Sequence, residues 1–199
     1  MSLVNRLATK VSSAAVIFQS WGATPLERRS VMPGDELFIG PAHNGTRAIT
    51  IEAPRSLVFD FIAQMGFGRA GWYSYDLIDN LGRPSASEVE PEWLVRQAGE
   101  PVPGGPIDFV AEIVERPSYY VLRLPTRHRF CYTIEFTLAY RLDEQTVPVP
   151  ATRVVTRVRT SVVGPGGRLL GKMLLLGDGV MVRKQLLGLH RRCERLAQR

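Results

Sequence analysis

Residues 131–142 read CYTIEFTLAYRL. Tyr132, Ile134, Phe136, Leu138, Tyr140 and Leu142 fall on one side of an extended chain, and Thr133, Glu135, Thr137 and Arg141 on the other. This two-residue period belongs to a strand with one buried face and one wet face. Residues 152–163, TRVVTRVRTSVV, repeat it, with Val154, Val158 and Val162 opposite Arg153, Arg157 and Arg159. Between the two lies DEQTVPVPA, a hairpin loop longer than usual. Upstream, IDFVAEIVE (107–115) and SYYVLRL (118–124) meet across Arg116-Pro117 and read as a hairpin. A further short strand at 46–52, TRAITIE, puts Ile49 and Ile51 on one side.

Strands with a single apolar face need a cover. Helical character returns from Gly166 to the end, with an expected break around GDG at 177–179 and a final helix from about Val180 to Ala197. That helix carries Val180, Met181, Leu186, Leu187, Leu189 and Leu196 and is the long element able to close the sheet. Two shorter helices are predicted. Pro54 opens the first, in which Val58, Phe61, Ile62 and Met65 fall at helical spacing before Gly66 stops it. The second covers Tyr73 to Leu81. The proline-, glycine- and acid-rich run after it, to about residue 106, reads as a surface connection. The fold class is α+β, an antiparallel sheet gripping a C-terminal helix.

With 199 residues and 45% hydrophobic content, the chain can bury one sizeable core. Residues 1–40 are expected to be a partly helical N-terminal extension and 41–199 the domain. Cys131 and Cys193 match no metal-ligand, redox or disulfide-framework spacing, which suits a reducing cytoplasm. Lys172 and Asp178 interrupt the most apolar run, so no transmembrane helix is expected. The N-terminus has a weaker apolar patch than a signal peptide and reads as a helix of the mature protein. The net charge of +6 is concentrated after residue 165. A basic helix end is favoured by the helix dipole, and without aromatic interleaving it reads as a solvated face before a nucleic-acid surface, leaving an anionic surface as a weaker reading.

Two glycine-rich stretches imitate nucleotide loops. GFGRAG (66–71) has GxGxxG spacing but follows a helix, whereas a dinucleotide loop follows a strand and opens a helix. GGRLLGKM (166–173) matches GxxxxGK, yet Met173 stands where a magnesium-binding Ser or Thr is required. His43, His128 and His190 are scattered, and no nucleophile elbow occurs. No metal and no cofactor are expected. The unusual cluster is WYSYDLIDN (72–80). On a helix, Trp72, Tyr75, Asp76 and Asp79 would share one side and Tyr73, Leu77 and Leu81 the other. Its aromatics either plug an open end of the sheet or rim a ligand pocket in which Asp76 fixes a polar group.

The segments TRAITIEAPRSLVFDFIAQMG and GRAGWYSYDLIDNLGRPSA, the upstream WGAT (21–24) and MPGDEL (32–37), and the closing basic helix together resemble bacterial SRPBCC proteins. These belong to the START-like, helix-grip superfamily, which includes the birch-pollen allergen, polyketide aromatase/cyclases and lipid-transfer domains. GWYSYD marks a subgroup without an assigned activity. The resemblance implies a seven-stranded antiparallel sheet around the C-terminal helix, with the two unseen strands at 84–104 and near 125–130. It also implies a cavity for an apolar ligand between sheet and helix. Carried onto this chain, the cavity would be lined by Phe109, Tyr120, Leu122, Tyr132, Ile134, Phe136, Val158 and Met181, with Trp72, Tyr73, Tyr75 and Asp76 towards an opening. Each of these reads as ordinary core before it reads as a ligand contact, because a sheet-helix sandwich needs such residues in any case. The leading functional expectation is binding or carriage of a small hydrophobic molecule, lipid, isoprenoid or polyketide-like. The alternative is a cyclase or dehydratase with Asp76, His128 or Tyr132 in proton transfer.

Overall fold

A computed structural model describes residues 19–37, 42–125, 130–140 and 151–199. The strands β1 (His43–Ile51), β2 (Pro101–Val102), β3 (Phe109–Glu115), β4 (Tyr119–Leu124), β5 (Phe130–Tyr140) and β6 (Thr152–Val162) form one sheet. Their order is β1-β6-β5-β4-β3-β2, and every pairing is antiparallel. Among the described residues the sheet has six strands, where seven were expected. In the 84–104 connection only Pro101 and Val102 pair, against Val110 and Phe109. Pro84, Pro91 and Pro103 withhold the N–H groups that a longer ladder would need. Near 125–130, of the described residues Phe130 joins a strand, as the first residue of β5, and positions 126–129 lie outside the described residues.

The two-residue period of β5 and β6 appears directly in the register. Ile134 sits opposite both Leu122 and Val158, and Phe136 opposite Tyr120, so these side chains form one continuous inner face. Against that face, mainly over β1 and β6, lies α4 (Gly167–Ala197), which buries Val182, Leu186, Leu189 and Cys193. The expected break at 177–179 does not occur, and the helix begins at residue 167 rather than 180. Each interior glycine costs a helix about 1 kcal/mol. Here the flanking turns recover that cost by burying Leu175 and Val182.

The helix after β1, α2 (Arg55–Ala63), buries Val58, Phe59, Phe61 and Ile62 and ends at Gln64, two residues before the predicted glycine stop. The second predicted helix shrinks to α3, Asp76–Asp79. The backbone explains why: Gly71 and Tyr73 hold φ values of 70° and 59°, and Leu81 and Gly82 hold 51° and 78°, none of which a right-handed helix admits. The helical face pattern expected for this stretch fails accordingly. Tyr73 is buried, while Leu77 and Leu81 are 81% and 74% exposed.

The outer face of the sheet also differs from expectation. It was expected to be wet, but Thr133, Glu135 and Arg157 are each no more than 3% exposed. The cover is α1 (Pro25–Arg29), opened by a capping box between Thr24 and Glu27, and a short 3-10 turn at Pro33–Leu37. Met32 packs on Ala48 and Val155, and Gly34 is close enough that a Cβ there would meet the Glu135 carboxylate at 2.8 Å. At the basic end of α4, Arg183, Arg191, Arg195 and Arg199 are exposed and Arg192 is half-buried, and several of them bridge to neighbouring segments. Arg192 donates to the carbonyls of Ser85 and Ala86, Arg195 to that of Ser87, Arg199 pairs with Glu88, and Arg183 lies over the Trp21 ring. None of the described helices is long and apolar enough to cross a membrane.

Candidate functional site

Between the inner face of β3 and β5, the middle of α4 and the loop at 72–79 lies a cavity of about 200 Å³. Its apolar walls are Trp72, Phe109, Tyr132, Ile134, Met181 and Val182, and its polar positions are Ser74, Asp79, Asp178 and Gln185, with Gly104 at the edge. The aromatic wall is continuous. Trp72 meets Phe109 edge-on at 5.4 Å between ring centres, and Phe109 meets Tyr132 at 6.1 Å.

The GFGRAG loop builds one end of this wall. Gly66 and Gly71 exchange two backbone hydrogen bonds, of 3.1 and 2.9 Å, and the Gly68 N–H donates to Asn80 Oδ1 at 2.8 Å. The amides a phosphate would need are therefore already occupied, which agrees with rejecting the nucleotide reading. A Cβ at Gly71 would fall 2.4 Å from Ser85 Oγ, so the loop can only close with glycine there. The turn it makes delivers Tyr73 to the core and Trp72 to the cavity.

Tyr73 is fixed at its hydroxyl and at its backbone N–H. Its hydroxyl donates to the Phe61 carbonyl at 3.0 Å and accepts from Gln64 Nε2 at 2.7 Å, and its N–H donates to Ser85 Oγ at 3.1 Å. The Arg192 guanidinium covers its ring at 5.0 Å, and burial pushes the hydroxyl well above its ordinary pKa. Helix α4 passes so close that a Cβ at Gly188 would lie 2.1 Å from the Tyr73 carbonyl oxygen.

Asp76 accepts hydrogen bonds from the N–H and the hydroxyl of Ser85, holding the 85–88 loop. It does not line the cavity. Tyr75 is 39% exposed, under the Lys184 ammonium. Tyr120, Leu122, Phe136 and Val158 are buried core beneath the cavity. Of the residues singled out from sequence, the cavity brings together Trp72, Phe109, Tyr132, Ile134 and Met181. His128 lies outside the described residues.

The polar lining was largely missed. Asp178, Met181, Val182 and Gln185 stand at positions i, i+3, i+4 and i+7 of α4, one helix face. That spacing is present in the sequence and becomes visible once the helix is read through GDG instead of broken there. Tyr132 donates its hydroxyl to Asp178 Oδ1 at 2.9 Å. Burial pushes the Asp178 carboxyl up to about 6, against the opposing pull of the Tyr132 hydrogen bond and the Arg47 guanidinium. Arg47 is fully buried on the inner face of β1, and burial lowers its pKa while the Asp178 charge works to keep it cationic. Asp79 is likewise pushed up to about 6, by burial and then by the neighbouring Asp76 carboxylate. Among the described residues, no group of three His, Cys, Asp or Glu side chains is arranged to hold a metal.

No family model and no curated protein matches the chain. Solved structures do. A START superfamily protein from Mycobacterium smegmatis aligns at 12% identity over 77% of this chain and 99% of its own, with a TM-score of 0.45. The di-domain aromatase/cyclase of the steffimycin biosynthetic pathway aligns at 9% identity over 79% of this chain and 52% of its own, with a TM-score of 0.48. The protein Ara h 8.0201 aligns at 12% identity over 79% of this chain and 99% of its own, with a TM-score of 0.40.

Proposed function

We propose that this chain binds a small, largely apolar molecule in the cavity between sheet and C-terminal helix. The observation that carries this reading is an aromatic- and aliphatic-walled cleft of about 200 Å³ between sheet and helix, open to solvent on one side. A few polar groups set among apolar walls are the composition of a small-molecule site. The volume narrows the ligand, since pockets for drug-sized molecules run to roughly 300–1,000 Å³. A single ring or a short branched chain matches the space better than a full-length lipid.

Native mass spectrometry of the purified full chain is the direct test, with an adduct of defined mass expected. Met181→Trp, which directs an indole into the chamber, is expected to abolish the adduct while leaving the far-ultraviolet dichroism unchanged. An adduct that survives this substitution places the ligand elsewhere and removes the proposal.

One observation favours a catalytic version. The Tyr132–Asp178 pair sets a carboxyl of pKa about 6 inside the apolar chamber, where an acid or base poised near working pH is most effective. In a cyclase- or dehydratase-like reaction Asp178 would exchange the proton and Tyr132 would orient it. Asp76 is less suited, because the Ser85 N–H and hydroxyl occupy its carboxylate. Asp178→Asn is expected to end turnover of a small hydroxyketone without preventing its binding; equal turnover by the variant leaves binding alone.

A further inference from the structure

We propose that the molecule this cavity takes is a small amine, an apolar or aromatic body carrying a protonated nitrogen. This rests on the reading of the cavity as a binding site and adds the chemistry of the ligand's polar end.

The argument is an inventory of donors and acceptors. Among the polar atoms lining the chamber, Oδ2 of Asp178 and Oε1 of Gln185 are buried and accept no hydrogen bond, and the half-buried Asp79 carboxylate stands beside them. Gln185 is the most telling. It is 5% exposed, and its amide nitrogen is turned to Met65 Sδ at 3.4 Å, which leaves the oxygen for the chamber. The donors are fewer, the Trp72 indole N–H and the second N–H of the Gln185 amide, because the others are committed. The Tyr132 hydroxyl donates to Asp178 and the Ser74 hydroxyl to the Met181 carbonyl. A buried acceptor without a partner is destabilising, and a ligand able to supply its missing hydrogen relieves that.

This inventory selects against the common alternatives. A ketone or ether could accept from the Trp72 indole or the second Gln185 N–H, but it brings no hydrogen to Asp178 Oδ2 or Gln185 Oε1. A carboxylate or phosphate meets Asp79 and Asp178, with Asp76 just behind, against the single Arg47 guanidinium beside Asp178. An ammonium has several N–H donors, a charge opposite to the excess carboxylate, and the faces of Trp72, Phe109 and Tyr132 for its body and its cation. A hydroxylated neutral molecule satisfies the acceptors but not the charge.

Three probes of one shape separate these cases: phenethylamine, phenethyl alcohol and phenylpropionate. They are titrated by calorimetry and by amide NMR into the full chain at neutral pH. The amine is expected to bind at least about tenfold more tightly than the alcohol, with the acid weakest, the difference of a charge-assisted hydrogen bond. Asp79→Asn and Asp178→Asn should each weaken the amine by about tenfold and leave the alcohol within about threefold. If one of these variants fails to fold, the other carries the test. Alcohol or acid binding as tightly as the amine, with shifts around Trp72, overturns the amine assignment and leaves the cavity reading intact. An amine affinity indifferent to both aspartates overturns it as well. No binding by any of the three overturns the amine assignment together with the small-ring reading of the chamber.

Discussion

The two faces of the sheet each hold a buried polar cluster, and the two differ at their centres: every nitrogen of Arg157 on the outer face is bonded, although the neighbouring Arg159 Nε is not, whereas Asp178 on the inner face keeps an oxygen without a donor. On the outer face Arg157, 3% exposed, donates to Thr46 Oγ1, to the carbonyls of Ser30 and Glu27 and to the Asp35 carboxylate, all within 3.2 Å. Arg159 adds a second pairing to Asp35, and Glu135 accepts from the Gly34 N–H at 3.0 Å. On the inner face Tyr132, Asp178, Gln185 and Asp79 line a chamber in which Asp178 Oδ2 and Gln185 Oε1 have no donor. A network whose charged centre is fully bonded fastens one segment of chain to another. A network left open in a cavity is matched to something outside the chain.

That contrast is broken most forcefully at Arg157. Arg157→Met keeps the length of the stem but removes every donor, freeing Ser30 and Glu27 and leaving Asp35 and Glu135 with one fewer cation beneath the 33–37 turn. The expected loss is about 3–5 kcal/mol in urea unfolding, the range for stripping one partner from a buried ion pair. A loss under about 1 kcal/mol would mean that the outer cluster does not fasten this layer.

Next in size is a pH effect on the same face. Burial, with the Asp35 carboxylate adding to it, pushes Glu135 up to about 7 from an ordinary 4.5, against the pull of the Gly34 N–H and of Arg157 and Arg159. Between those two values the folded chain holds a proton that the unfolded chain has released, so this group's contribution to stability falls as pH rises through the window and is flat above it. Subtracting the profile of Glu135→Gln isolates the group, since Asp79 and Asp178 tilt both profiles in the same direction. The wild-type protein is expected to lose about 1–3 kcal/mol relative to the variant from acid to neutral pH. Parallel profiles would show that Glu135 is ionised throughout.

How much of this was readable beforehand differs between the faces for physical reasons. The inner face of β5 and β6 was legible because its period of two is strict and its residues pack only on sheet and helix. The outer face misled because Thr133, Glu135 and Arg157 look like solvent-facing residues, and their cover, at 21–37, is more than a hundred positions away in sequence. Arg47 was passed over for a different reason: it shares the inner-face parity of Ile49 and Ile51, but a guanidinium reads as a solvent-facing group. The WYSYD cluster was found, but its geometry depends on the left-handed backbone at Gly71 and Tyr73, which a helical reading cannot contain. That reading put Asp76 where Asp79 stands. Asp178 was passed over because GDG looks like a break, while the register of α4 makes it the head of the face that continues through Met181, Val182 and Gln185.

The smallest expected effect sharpens the comparison from the inner side. Tyr132→Phe removes a single hydroxyl and leaves Asp178 Oδ1, which now accepts from it at 2.9 Å, unpaired. If the centre of the inner cluster were as fully bonded as that of the outer one, the loss would approach that at Arg157. Because the cluster already tolerates an unpaired Oδ2, the expected loss at neutral pH is about 1 kcal/mol. The substitution also has a signature that packing alone does not produce. The Tyr132 hydrogen bond favours the charged carboxylate, so removing it should move the Asp178 pKa further up from about 6, visible by carboxyl carbon NMR. The destabilisation should shrink in acid, where Asp178 is protonated and the lost donor no longer stabilises a charge. A carboxyl that titrates unchanged in the variant would show that Tyr132 and Asp178 act independently, and the chamber would then be shaped by its aromatic wall alone.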